Sequence, residues 1–171
     1  MNVVELRGNV PTRIQKFLDS DWDAIILARA GVERLGLEKN ISSFISKSEI
    51  LPAVGQGALG IEIRESDKDT AAILKSVHDQ ETLFAVLAER SLLRILEGGC
   101  QVPIGTYSEI KGDELHLKAY VGSVNGKKAF RDNVSGKKED AEILGKDLAN
   151  KLLDAGAKEI LDEIFKAARI K

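Results

Sequence analysis

The chain has 171 residues, of which 43% are hydrophobic and 30% charged, with a formal net charge of -2. That length holds one ordinary domain or two small ones, and the composition is that of a soluble globular protein. The weak net charge excludes binding to nucleic acid or to a membrane surface by bulk electrostatics.

No apolar run approaches the ~20 residues of a spanning helix. The opening "MNVVELRGN" lacks the basic and long apolar regions of a signal peptide. The single cysteine cannot form an internal disulfide, so the cytoplasm is the expected compartment.

Val3 to Leu6 reads as a short buried strand. "RGNVPT" leads into a helix with apolar spacing at Ile14, Phe17 and Leu18, with Asn9 as its cap and Pro11 in its first turn. "DAIILARAG" holds a second apolar strand, Ala24 to Ala28, which completes a βαβ unit with parallel strands. The glycine-rich "ILPAVGQGALG", Ile50 to Gly60, reads as a hinge or crossover, and "LGIEIR" alternates like a strand. "DKDTAAILKSVHD" is a capped amphipathic helix. "QETLFAVLAERSLLRILEGG" is a longer one, apolar on much of its circumference and stopped by Gly98 and Gly99.

Beyond Cys100 the pattern changes. "VPIGTYSEI", "ELHLKAYVGS" and "KAFRDNVS" read as three strands, with turns at "KGDE" and "NGK"; Asn125-Gly126 is a strong hairpin signal. Two helices follow. The first carries Ala141, Leu144, Leu148 and Leu152 on one stripe with Gly156 past its end, and the second carries Ile160, Leu161, Ile164 and Phe165. This is an α+β module from Val77 to Lys171, with a three-stranded antiparallel sheet and helices on one face. The first part is not self-sufficient, because two parallel strands and one helix do not cover a sheet. Its partner strands come from another chain, or the sequence begins in mid-domain.

In "LRGNVPTR", Arg7 ends a strand, Gly8 permits close backbone approach, and a helix N-terminus follows. That is where ligands of open α/β sheets collect and where anions bind. Arg7 and Arg13 are each able to grip a carboxylate bidentately, and on residues alone anion binding and an ordinary surface turn are evenly balanced. The same topology applies to Arg29 and Arg34 after the second strand, where a solvated helix face is the commoner outcome. His78 and His116 have no companions at metal-ligand spacing. His116 alternates with Leu115 and Leu117, which places it on the exposed face of a strand. Cys100 follows a helix C-terminus, whose partial negative charge disfavours a thiolate. A lone cysteine is commonly a small buried hydrophobe; here flanking glycines and "QVP" point to a loop instead. A thiol that reacts once with a strong electrophile and then holds it needs no activation.

"LRGNVPTR", "DAIILARAGVERLGL", "LPAVGQGALGIE" and "LEGGCQVPIG" in this order closely resemble hydroxymethylbilane synthase (porphobilinogen deaminase), over essentially the whole chain. The resemblance implies a transferase of tetrapyrrole and haem biosynthesis. Such an enzyme links four porphobilinogen molecules head to tail, losing ammonia each time, on a dipyrromethane primer. By motif the primer is bound through a thioether to Cys100. It further implies that Arg7, Arg13 and Arg34 hold the acetates and propionates of the pyrrole chain, with Arg34 preferred to Arg29 because the family's arginine stands just before "LG". Asn9 and Gln56 are weaker candidates for lining the same cleft.

Members of the family are considerably longer, with two α/β domains resembling periplasmic binding proteins and a small C-terminal domain that carries the cysteine. The resemblance therefore divides this chain into the C-terminal half of the second α/β domain (1–58), a return segment of the first (59–76) and the C-terminal domain (77–171). The family's catalytic aspartate belongs to the first domain, and none of Asp67, Asp69 or Asp79 matches it by motif. This implies that the chain alone lacks synthase activity. Its expected partners are porphobilinogen and linear pyrrole chains, together with the missing N-terminal domain or a second copy at an open sheet edge. The alternative is a non-catalytic module of the same descent that binds linear tetrapyrroles or other polycarboxylates.

Overall fold

The computed structural model describes residues 2–97 and 102–169, with side chains up to residue 167. The expected helix stop at Gly98 and Gly99, and Cys100 itself, lie outside the described residues. The chain divides into two compact units, residues 1–46 and 47–171.

In the first unit, helix α1 spans Val10–Leu18. Asn9 caps it by accepting the Thr12 N–H (2.9 Å), and a proline stands in its first turn, as its sequence predicts. A short helix α2, Arg29–Glu33, follows. Ile14 and Val32 are the buried apolar side chains described here. Gly31 brings α2 close to α1: a Cβ there would lie 3.4 Å from Val10 Cγ2.

The two expected strands, Val3 to Leu6 and Ala24 to Ala28, do not form; both segments lack regular secondary structure. "LGIEIR" in the second unit does not form a strand either. The reason is the same at each place. A strand is stabilised by a hydrogen-bonded neighbour and a covering layer, and nothing among the described residues supplies either. Val3 is 77% exposed, Ile26 71% and Leu59 96%.

The second unit has a complete core. After α3 (Lys68–Leu74), capped by Asp67, comes the long helix α4, Gln80–Ile95. It ends two residues before the glycines: Leu96 closes it, and Glu97 takes the left-handed conformation (φ +50°) usually given to glycine. Strands β1 (Ile104–Lys111), β2 (Glu114–Gly122) and β3 (Ala129–Lys137) form an antiparallel sheet in the order β1-β2-β3. In register, Ser108 faces Leu117 and Leu117 faces Val134. The β1–β2 turn has Gly112 at φ +65°, which such tight turns require. The β2–β3 loop contains Asn125-Gly126 and closes where the Ser123 N–H donates to Lys128 O (2.9 Å).

Alternation puts Leu115, Leu117, Ala119 and Val121 of β2 into the core, while His116 is half-buried beside Glu114 on the opposite side. Helix α4 and α5 (Ala141–Leu152) cover the sheet with Leu92, Leu96, Leu148 and Leu152. The two helices cross at Gly145, where a Cβ would stand 2.2 Å from Ala88 O. A kink at Gly156 (φ +113°) turns the chain into α6, Lys158–Arg169, which adds Ile160 and Leu161 to the core. The antiparallel module with helices on one face is therefore present as its sequence predicts.

Candidate functional site

In the first unit two basic side chains fold back onto one turn. Gly8 adopts φ +128°, and a Cβ there would lie 2.9 Å from Thr12 Cγ2, so only glycine brings the backbone this close to the helix start. Arg13, half-buried, folds back so that its Nε donates to Gly8 O (2.7 Å). Lys16 reaches back as well and donates to Arg7 O (3.0 Å). Two cations thus pin the Arg7–Gly8 backbone, and Arg13 uses one of its five N–H donors in doing so. Arg7 itself is highly exposed and pairs with Glu5 (Nη2–Oε1, 3.0 Å), a contact of little strength in water. Asn9 has its amide oxygen engaged as the α1 cap. Lys16 carried no motif and was not anticipated.

Arg29 and Arg34 part company. Arg29 is bound to Glu33 one turn on, and its guanidinium lies 4.5 Å from the centre of the Phe44 ring. Arg34 closes α2 and is exposed, and no carboxylate among the described residues lies within salt-bridge distance of it.

In the second unit the glycine-rich segment is a turn, with Gly55 at φ +66° and Gly57 at φ +90°. It closes through Gln56 N–H to Ala53 O (3.1 Å) and leaves Gln56 exposed. The turn is tied to the rest of its unit by Glu89. This carboxylate accepts the Gly55 N–H on Oε2 (2.7 Å), and on Oε1 the Ser108 N–H (3.0 Å) and hydroxyl (2.6 Å). Among the described residues it is the only buried charged side chain, 8% exposed. The sequence held a signal for it: Ala85, Ala88, Glu89, Leu92 and Leu96 share one stripe of α4, so a carboxylate stands where that stripe turns into the core.

Asp67, Asp69 and Asp79 have helix roles or positions. Asp67 accepts the Thr70 N–H (3.0 Å), Asp79 accepts the Thr82 N–H (2.6 Å), and Asp69 lies in the first turn of α3. The Thr82 contact holds the Asp79 carboxyl below the ordinary carboxylate range. His78 stands beside Gln80 (3.3 Å) at the start of α4, far along the chain from His116.

A groove of about 630 Å³ lies elsewhere in the second unit, lined by Lys47, Leu51, Gly105, Lys118, Tyr120 and Arg131 among others; Gln56, the described residue of this unit expected to bind a ligand, is not among those that line it. No helix of the described residues is long and apolar enough to cross a membrane.

Two family models match the chain. "Porphobilinogen deaminase, dipyromethane cofactor binding domain" covers residues 1–72, and "Porphobilinogen deaminase, C-terminal domain" covers 83–154, which includes Cys100. The chain is 44% identical over 167 residues to the porphobilinogen deaminase of Syntrophobacter fumaroxidans, covering 98% of this chain and 54% of that protein. It is 49% identical over 166 residues to that of Chlorobium phaeobacteroides, covering 95% of this chain and 53% of the relative. It thus spans about half the length of the curated relatives it matches. Both models name one family, and the likeness to its members runs nearly from end to end of this sequence: the chain belongs to the porphobilinogen deaminase family.

Proposed function

We propose that this chain is the C-terminal half of a porphobilinogen deaminase, an enzyme that condenses porphobilinogen with loss of ammonia into linear hydroxymethylbilane. The observation that carries this reading is an identity of 44–49% to deaminases over 95–98% of the chain. In the complete enzyme we assign 1–58 to the second α/β domain with a parallel sheet, 59–76 to a return segment of the first, and 77–171 to the C-terminal domain. The two compact units meet at 46/47 instead, because residues just after that point hydrogen-bond within the second unit: Pro52 O accepts the Thr106 N–H, and Gly55 donates to Glu89.

Cys100 is assigned as the anchor of the dipyrromethane, through a thioether. When bound, that group supplies the primer from which the chain of rings grows. The donor set fits a ligand rich in carboxylates. Arg7 and Arg13 are forked cations beside the start of a nine-residue helix, where negative charge is favoured, and Arg34 is a further, exposed one. Arg34, free of the contacts that occupy Arg29, is the better placed of that pair. Asn9 orders the same helix start, and Gln56 offers an amide from the glycine turn.

None of Asp67, Asp69 and Asp79 matches the family's catalytic aspartate by motif, and Asp67 and Asp79 are committed to capping helices. The chain alone is therefore expected to be inactive, and the apolar segments near Val3, Ile26 and Leu59 are expected to pair with an N-terminal half or with a second copy. A cytoplasmic enzyme fits this reading. A second reading, a non-catalytic binder of linear tetrapyrroles, is supported by the self-contained core of the C-terminal module, in whose sequence Cys100 lies.

The test is a porphobilinogen-consumption assay of the chain, with and without a separately produced N-terminal half of a related deaminase. Intact mass of wild type and Cys100→Ser is measured in parallel. Activity and a dipyrromethane mass on wild type only, both dependent on the added half, are expected. Turnover at enzyme-like rates by the chain alone overturns the inactivity, and an adduct that persists on Cys100→Ser overturns the anchor.

A further inference from the structure

We infer that Glu89 is a positioning residue: its buried carboxylate fixes the glycine turn that presents Gln56. The inference deepens the proposed function, because the use of Gln56 rests on that reading, whereas the clip itself rests on geometry within one compact unit.

β1 is an edge strand, and its outward N–H groups need acceptors from outside the sheet. Thr106 N–H finds Pro52 O (2.8 Å), and Ser108 N–H finds Glu89 Oε1 (3.0 Å). Closing that edge requires only Oε1. The second oxygen does something different: Oε2 accepts the N–H of Gly55, 34 residues away, at 2.7 Å. A carboxylate, with two oxygens and no proton to donate, is the only side-chain type of this length that accepts on both sides at once. Burial in a site of low dielectric strengthens both contacts and makes each expensive to lose.

The segment before the turn is attached to β1 through Pro52 O, and the clip matters because it holds the turn itself. Gly55 and Gly57 both occupy left-handed conformations, and a Cβ at either would meet nothing within 4 Å, so side-chain packing does not fix them. The internal bonds Gln56 N–H to Ala53 O and Ala58 N–H to Gly55 O shape the turn but do not attach it. Glu89 attaches it to α4, the helix whose end leads along the chain to Cys100. The turn with Gln56 and the helix before the anchor are thereby held as one body.

The Glu89→Gln variant separates the two functions of the carboxylate. Its one amide oxygen still serves Ser108, while its NH2 faces the Gly55 N–H, donor against donor. Amide hydrogen exchange on the 171-residue chain is the readout. We expect exchange at Gly55 to rise at least tenfold in Glu89→Gln, with Ser108 and the core amides of Leu117 and Leu148 unchanged. Ser108→Ala removes a hydroxyl contact of the same carboxylate and is expected to leave Gly55 protected.

If Glu89→Gln opens Ser108 and leaves Gly55 as in wild type, the residue only closes the sheet edge and the proposal fails. It fails equally if Gly55, Ser108 and the core open together. Titration with porphobilinogen, followed at the Gln56 side-chain amide by NMR, tests the reading underneath. A shift in wild type that weakens several-fold in Glu89→Gln supports both. No shift at Gln56 in wild type removes Gln56 from the binding surface, and the clip is still decided by exchange.

Discussion

Val3, Val4 and Ile26 lie in apolar runs of strand type, and so do Leu115, Leu117 and Val121. The first three are exposed and unpaired, whereas the other three are fully buried in a sheet. The difference is not in the residues but in what surrounds them. β2 has a hydrogen-bonded neighbour on each side and two helices over its inner face, all from the same stretch of chain. Among the described residues, nothing supplies either to the apolar runs before residue 30. A pattern of β-branched and aliphatic residues states a willingness to be a strand; a ladder partner decides whether one forms.

The largest expected contrast is in hydrogen exchange. Amides of Leu115, Leu117 and Val121 are expected to be protected about a thousandfold or more over those of Ile25 to Leu27. Comparable protection in the two sets breaks the contrast.

Gly145→Ala attacks the region that is complete. Its Cβ would meet backbone at Ala88, so α4 and α5 must move apart. A loss of about 3 kcal/mol is expected in chemical denaturation of the second unit, with the tryptophan fluorescence of Trp22 in the first unit unaffected.

Asn9→Ala attacks the region that is not. It removes the α1 cap and is expected to cost that helix about 1 kcal/mol, seen as faster exchange at Thr12. Core amides of the second unit should not respond.

Thr106→Val is expected to be neutral or stabilising by up to about 1 kcal/mol. The Thr106 hydroxyl is fully buried with no hydrogen-bond partner among the described residues, and a methyl there removes that cost. A marked loss of stability would reveal a role for the hydroxyl.

The smallest effect is a dependence on pH. Asp79 is held below its ordinary pKa by the Thr82 N–H. Its contribution to the start of α4 is therefore present above the ordinary aspartate value of about 3.9 and fades as pH falls through the lowered folded value. Asp79→Asn is expected to keep the cap and flatten the acid dependence of the Thr82 amide shift.

Local signals were legible wherever the physics is local. Asn9 and Pro11 announced α1, the stripe of Leu144, Leu148 and Leu152 announced α5, and Asn125-Gly126 marked the β2–β3 loop. The motifs around Arg7, Arg34, Gln56 and Cys100 carried the family. Three features were not legible in the same way. Helix α4 stops at Ile95, short of its glycines, because Glu97 takes the left-handed turn. Arg29 meets Glu33 and Phe44, partners that no motif names. Glu89 stands on the core stripe of α4, but its partners Gly55 and Ser108, 34 and 19 residues away, are not readable from that stripe.

The sequence by itself determined the helices, the antiparallel module and the family, because capping, periodicity and turn chemistry act over a few residues and motifs survive as strings. Tertiary structure alone decided which apolar runs become strands and which partners the buried carboxylate takes. Both depend on partners that are distant in the chain, and a hydrogen bond exists only when its second half arrives.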